Sequence, residues 1–171
     1  MSAVKKIVII GPESTGKSTL SIDLAKVLET AWVPEYARRY LEELDRAYEE
    51  SDMLAIAKGQ IALEDERLQD ANRYLICDTD LYVMKVWSEH SYSRCHNRIL
   101  EQIAARSYDA YILTGIDMPW QADPYREHPH LRHYFYHQYK DIVMHSGVPW
   151  IPLEGSEEER LHTALSFINK L

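Results

Sequence analysis

Gly11-Pro12-Glu13-Ser14-Thr15-Gly16-Lys17-Ser18 satisfies the pattern G-x-x-x-x-G-K-S/T at every fixed position. Its flanks fit the same reading. Ile7-Val-Ile-Ile10 runs in as a continuous β-branched strand, the kind buried on both faces of a parallel sheet. Leu20, Leu24, Val27 and Leu28 recur at helical spacing on the way out. A loop in this position presents backbone N–H groups to phosphate oxygens, and its glycines let the chain curl closely around them. The start of the following helix adds its dipole and unpaired donors. Lys17 is expected to reach the β- and γ-phosphates of ATP, and the Ser18 hydroxyl to ligate Mg²⁺. Gly11, Glu13, Ser14, Thr15, Gly16 and Thr19 complete the expected nucleotide-binding set.

Outward from this loop, short apolar runs alternate with longer helical patterns, which predicts an α/β fold with a parallel sheet covered by helices. Ala31-Trp-Val-Pro34 reads as a second strand, followed by a helix with Tyr36, Tyr40, Leu44 and Tyr48 near one face. Ser51 is the expected N-cap of a long helix ending near Ala71. Tyr74-Leu-Ile-Cys77 is the third strand, and Asp78-Thr-Asp80 closes it. Helices are expected over 81–89 and 97–106, with Ala110-Tyr-Ile-Leu113 as the fourth strand. Residues 118–129 hold three prolines and read as a loop. A helix over 130–145, a fifth strand at Pro149–Leu153 and a last helix follow, the last capped by Ser156 with Glu159. No repeat or linker interrupts the 171 residues, so one domain is expected over 1–171.

The net charge of -8 argues against general nucleic-acid binding, which needs a basic surface, and directs attention to a small-molecule partner. No apolar run is long enough to span a bilayer, and the start has no small-residue cleavage site. Cys77 and Cys95 are the only cysteines, and Cys77 lies in an apolar run, as suits a reduced thiol in a cytoplasmic protein.

Ligands of open α/β sheets bind beyond the carboxyl ends of the strands. Asp78 is expected to hold Mg²⁺ there, directly or through water. Asp80 either caps the next helix or faces an acceptor. Glu35, in Val33-Pro-Glu-Tyr-Ala-Arg38-Arg39, is the candidate base; otherwise it caps a helix or pairs with Arg38 or Arg39. Asp117 to Arg126 reads as a lid in which Arg126 and Arg132 neutralise charge over the phosphates, while Trp120 and Tyr125 offer an aromatic face. His128, His130, His133 and His137 read either as exposed helix residues or as a metal site. The acidic run Glu157–Glu159 suits a helix amino terminus. The turn Glu154-Gly155-Ser156 could meet an adenine edge by analogy.

The loop at Gly11–Ser18, then Pro34-Glu-Tyr-Ala-Arg38, Cys77-Asp-Thr-Asp80, and Trp120 with Asp123 and Arg126, resemble the nicotinamide-riboside kinase domain of bacterial NadR proteins. That domain belongs among the P-loop kinase and AAA-type ATPase-like families, and the resemblance runs from Ile7 to Leu171. It implies a kinase-type P-loop fold with a five-stranded parallel sheet in the order 2-3-1-4-5. It also implies ATP-dependent phosphorylation of the ribose 5′-hydroxyl of nicotinamide riboside for NAD synthesis. Glu35 and Asp80 would then lie near the ribose, with Tyr36, Arg38, Trp120 and Tyr125 around the acceptor, Trp120 near the nicotinamide ring, and Arg126 in the lid. The adenylyltransferase and DNA-binding domains of full-length NadR proteins have no counterpart here, and Ala122 and Pro124 replace an acid and a glycine of the family's lid. Two other functions compatible with the residues are a kinase for another nucleoside or small alcohol, and a regulatory P-loop NTPase switch.

Overall fold

The computed structural model describes residues 3–171. Its centre is a five-stranded sheet in the order β2-β3-β1-β4-β5, with every neighbouring pair parallel. The strands are β1 (Lys5–Ile10), β2 (Trp32–Val33), β3 (Tyr74–Asp78), β4 (Ala110–Thr114) and β5 (Trp150–Leu153). Parallel neighbours cannot be joined by hairpins, so helices carry each crossover. These are α1 (Lys17–Val27), α2 (Tyr36–Glu43), α3 (Glu50–Gln69), α4 (Leu81–Tyr92), α5 (Asn97–Ala105), α6 (Arg132–Met144) and α7 (Glu157–Ile168).

The alternation of strand side chains divides the core. Ile7 and Ile9 point to one face, where they pack with Ile76, Ile112 and Leu153 under α1 and α7. Val8 and Ile10 point to the other, with Leu75, Cys77, Leu113, Phe135 and Tyr139 beneath α4 and α6. Each fully buried aliphatic side chain contributes about 1.5–3 kcal/mol relative to exposure. A third cluster, around Met53, Ile56, Leu81 and Ile99, binds α2 to α5 beside the sheet. The register sets Ile9 opposite Asp78 and Ile112, so β1, β3 and β4 end together beneath the phosphate loop.

The helix expected over 81–89 runs on to Tyr92 and the one expected over 130–145 spans Arg132–Met144, and two further boundaries move named residues. α2 stops at Glu43 and Leu44 is extended, so Tyr48 lies in a connector and not on that helix. α3 is capped by Glu49, not Ser51, through a reciprocal box with Asp52. The reason is tertiary: Asp52 is anchored by Tyr40 and Arg46, which pulls the first turn back toward Glu49. Ser156 and Glu159 form their capping box as read. No helix among the described residues is long and apolar enough to cross a membrane.

Candidate active site

The phosphate loop leaves β1 and enters α1 through Gly16, whose φ of 77° is left-handed and which sits at the N-cap. Thr15 is buried, and its hydroxyl meets Pro12 O and Thr114 Oγ1 at 2.7 Å each. The loop's inner side is therefore fixed by the protein, leaving its outer side to a cavity of about 630 Å³. Gly11, Glu13, Ser14, Thr15, Gly16, Lys17, Ser18 and Thr19 all line that cavity.

Lys17 Nζ donates to Pro12 O at 2.7 Å, and burial lowers its pKa against the opposing fields of Glu35, Asp78 and Glu13. Ser18 Oγ donates to Asp78 Oδ2 at 2.5 Å. The other oxygen, Asp78 Oδ1, is buried without a partner among the described residues. Burial raises the Asp78 pKa to about 7, and the charge of Glu35 adds to the rise. An orphaned carboxylate oxygen beside a hydroxyl fits a hard cation that takes its remaining ligands from phosphate oxygens and water. The described residues contain no group of three His, Cys, Asp or Glu side chains arranged to hold a metal alone.

Glu35 lines the same cavity. It stands at the N-cap of α2 but makes no side-chain cap bond. Its suggested ion-pair partners are engaged elsewhere: Arg38 pairs with Asp123 at 3.0 Å and Arg39 with Glu43 at 3.0 Å. Tyr125 and Arg38 also line the cavity, with the guanidinium 5.6 Å from the ring centroid.

The loop between β4 and α6 lies down on the phosphate loop. Gln121 N donates to Ser14 Oγ at 2.8 Å, and His128 N donates to Glu13 Oε2 at 3.1 Å. Arg126 lines the cavity, donating to Gln121 O at 2.6 Å and to Ser14 Oγ at 3.4 Å.

Four expected site residues lie elsewhere. Asp80 is buried as the N-cap of α4, accepting from Tyr82 N at 2.9 Å and Tyr111 Oη at 2.8 Å, and does not line the cavity. Burial raises its pKa to about 6. Tyr36 packs its ring against Gly59, where any Cβ would collide with it. Three of the five Arg132 N–H donors go to the carbonyls of Ser14, Ile116 and Met118, so it braces the lid from beneath, and it does not line the cavity. Trp120 packs on that guanidinium, 5.9 Å from it, outside the cavity. The proposed adenine edge is also occupied, because Gly155 N donates to Asp117 Oδ2 and Gly155 O accepts from Arg160 Nε. Of the histidines, His128 lines the cavity, its ring 4.8 Å from that of His90; His130, His133 and His137 are exposed.

Two contributors were missed. Trp87, Phe135 and Tyr139 supply an aromatic wall from α4 and α6, though in sequence they are ordinary apolar helix positions. Arg160 is 3% exposed; it donates to Thr15 O at 2.9 Å and pairs with Asp117, tying α7 to the phosphate loop. Nothing in Glu157-Glu-Glu-Arg160 distinguishes it from a solvated helix start.

A phosphate loop on the central strand, an acid closing the neighbouring strand and an arginine-bearing lid over both define a P-loop nucleotide-binding fold of the kinase type. Comparison with known proteins carries the resemblance to NadR over 72% of the chain in sequence. The chain belongs to the AAA domain family, which matches residues 6–160. It is similar to the trifunctional NAD biosynthesis/regulator protein NadR of Escherichia coli, with 32% identity over 129 residues, and to that of Salmonella typhimurium, with 30%. These matches cover 72% of the chain but 31% of each relative, so the chain spans about a third of their length. A solved structure of NadR protein in complex with NR superposes with a TM-score of 0.80 at 22% identity, over 98% of this chain and 51% of that one. Deoxyadenosine kinase from M. mycoides superposes with a TM-score of 0.63 at 16% identity, over 97% and 100%. At these identities the superpositions show the shared kinase-type fold.

Proposed function

We infer that the chain transfers the γ-phosphoryl group of ATP to the 5′-hydroxyl of nicotinamide riboside, giving nicotinamide mononucleotide. The observation that carries this reading is Glu35: a carboxylate in the same cavity as Lys17 and Asp78, neither capping its helix nor paired with Arg38 or Arg39. A free carboxylate there is available to a hydroxyl. As the hydroxyl oxygen bonds to the γ-phosphorus, its proton passes to Glu35, and the bond to the β–γ bridging oxygen breaks to release ADP. Lys17 and Arg126 hold and neutralise the phosphates, which matters more than the base in so loose a transition state. Ser18 and Asp78 would hold Mg²⁺, which supplies further charge neutralisation when bound.

The choice of acceptor rests on similarity to NadR and on charge. One of the solved NadR complexes contains NR. Glu35 and Glu42 line the cavity with Trp87, Phe135 and Tyr139. Carboxylates and aromatic faces together suit a cationic ring such as a pyridinium. This reading places the protein in the cytoplasm, with ATP and Mg²⁺ as cofactors.

The test is ADP release with ATP and Mg²⁺ across nicotinamide riboside, thymidine, cytidine and adenosine. Efficient turnover with nicotinamide riboside alone supports the assignment. Turnover with another nucleoside reassigns the acceptor, and no acceleration by any of them sinks the kinase reading in favour of a switch.

A further inference from the structure

Trp87 lines the cavity, yet nothing in the phosphate machinery uses it. Its indole Nε1 donates to Tyr48 Oη at 3.2 Å, and the two rings meet edge to face with centroids 4.9 Å apart. Tyr48 Oη donates in turn to Glu127 Oε2 at 3.0 Å, in the lid. The backbone N–H groups of Glu127 and His128 then close on the carboxylate of Glu13, at 3.3 and 3.1 Å. An unbroken run of contacts therefore leads from the cavity wall through the α2–α3 connector and the lid to the phosphate loop.

The connector is held for this purpose by a second cluster. Arg46 donates to both oxygens of Asp52, at 2.8 and 2.9 Å, and Tyr40 Oη adds a third bond at 2.6 Å. Glu49 N adds a fourth at 2.7 Å. Tyr48 lies between these anchored neighbours. With its N–H already satisfied by Tyr48, the indole has only its π-face to offer a ligand. That favours a planar ring, and a cationic one above a neutral one.

We propose that Trp87 is the specificity-determining residue for the acceptor's ring, and that Tyr48 is the positioning residue through which ring occupancy steadies the lid. This rests on the nucleoside-kinase reading. A ring on Trp87 fixes the indole, the indole fixes Tyr48, and Tyr48 holds Glu127 and His128 against Glu13. Acceptor binding thereby favours the closed lid before transfer, as an ordered closure requires.

The test combines nicotinamide riboside binding by calorimetry with amide hydrogen exchange at Glu127 and His128. It uses wild type, Tyr48→Phe, Trp87→Phe and Trp87→Leu, all checked for folding by circular dichroism. In wild type the riboside should slow exchange at both amides. Tyr48→Phe should bind within about threefold of wild type but lose that slowing, because the ring stack survives and the hydrogen bonds do not. Trp87→Leu should weaken binding on the order of tenfold, with Trp87→Phe restoring most of it. Retained protection in Tyr48→Phe, or unaltered affinity in Trp87→Leu, overturns this inference alone. Failure of the riboside to bind wild type overturns the acceptor assignment itself, and this inference with it.

Discussion

Ser18 Oγ holds one oxygen of Asp78 at 2.5 Å, while the other oxygen of the same buried carboxylate has no partner among the described residues. Leaving a buried carboxylate oxygen unpaired is costly. Burial and the charge of Glu35 raise the Asp78 pKa from 3.8 to about 7. The folded state therefore binds this proton more tightly than the unfolded chain does. Stability is fully favoured below the lower value and falls as pH rises toward the upper one.

Asp78→Asn removes that slope. In melts with chelator from pH 4 to pH 8, the melting temperature of Asp78→Asn relative to wild type should rise across the window. Parallel curves would count against the ionisation described. Mg²⁺-dependent turnover should fall by at least roughly a hundredfold, since a cation oxygen is lost.

Glu35 faces the opposite situation, because no structural bond depends on its carboxylate. Glu35→Gln should lower kcat by about 10²–10⁴-fold without destabilising the fold. It should also lower the Asp78 pKa, because a repelling charge has gone. Unchanged kcat would remove Glu35 from the role of base.

Arg160 tests the scaffold behind the site. Its guanidinium serves Thr15 O, Gly155 O, Gly115 O and Asp117 from a nearly fully buried position. Arg160→Leu leaves those acceptors unpaired and should cost about 3–5 kcal/mol in urea unfolding. A loss below about 1 kcal/mol would mean that water replaces the side chain at little cost.

Asp52 governs the acid limb of stability. Its carboxyl is held well below the usual carboxylate range, chiefly by the Arg46 hydrogen bonds and then by Tyr40, against the cost of burial. A depressed pKa contributes stability that is present above the unfolded value, about 3.9, and is lost as pH falls below it. Asp52→Asn should therefore melt below wild type at pH 7, with the gap closing under acid conditions. A gap constant with pH would refute the linkage.

The strands, their order of appearance and the nucleotide loop were legible because they rest on local patterns. Ile7–Ile10 must be a buried strand, and Gly16-Lys17-Ser18 must turn sharply into a helix. Ser156 and Glu159 similarly form a cap from residues three apart. The acceptor side was legible only in part. Glu35 and Tyr125 reached the cavity, but Tyr36 turned onto Gly59, and Asp80 turned to Tyr111. Arg132 shows the limit most plainly: a lid arginine reads as a phosphate ligand until both of its terminal nitrogens are found bonded to backbone carbonyls.

By itself the sequence determined a parallel α/β sheet, the phosphate loop and the acid that closes the neighbouring strand, since backbone geometry and side-chain periodicity act over a few residues. Only the tertiary structure decided which polar groups face the cavity and which are spent inside the protein. A buried donor or acceptor must find a partner: those of Arg132 lie 14 to 118 positions away along the chain and that of Trp87 lies 39 away, while Asp80 takes one partner two positions on and another 31 away.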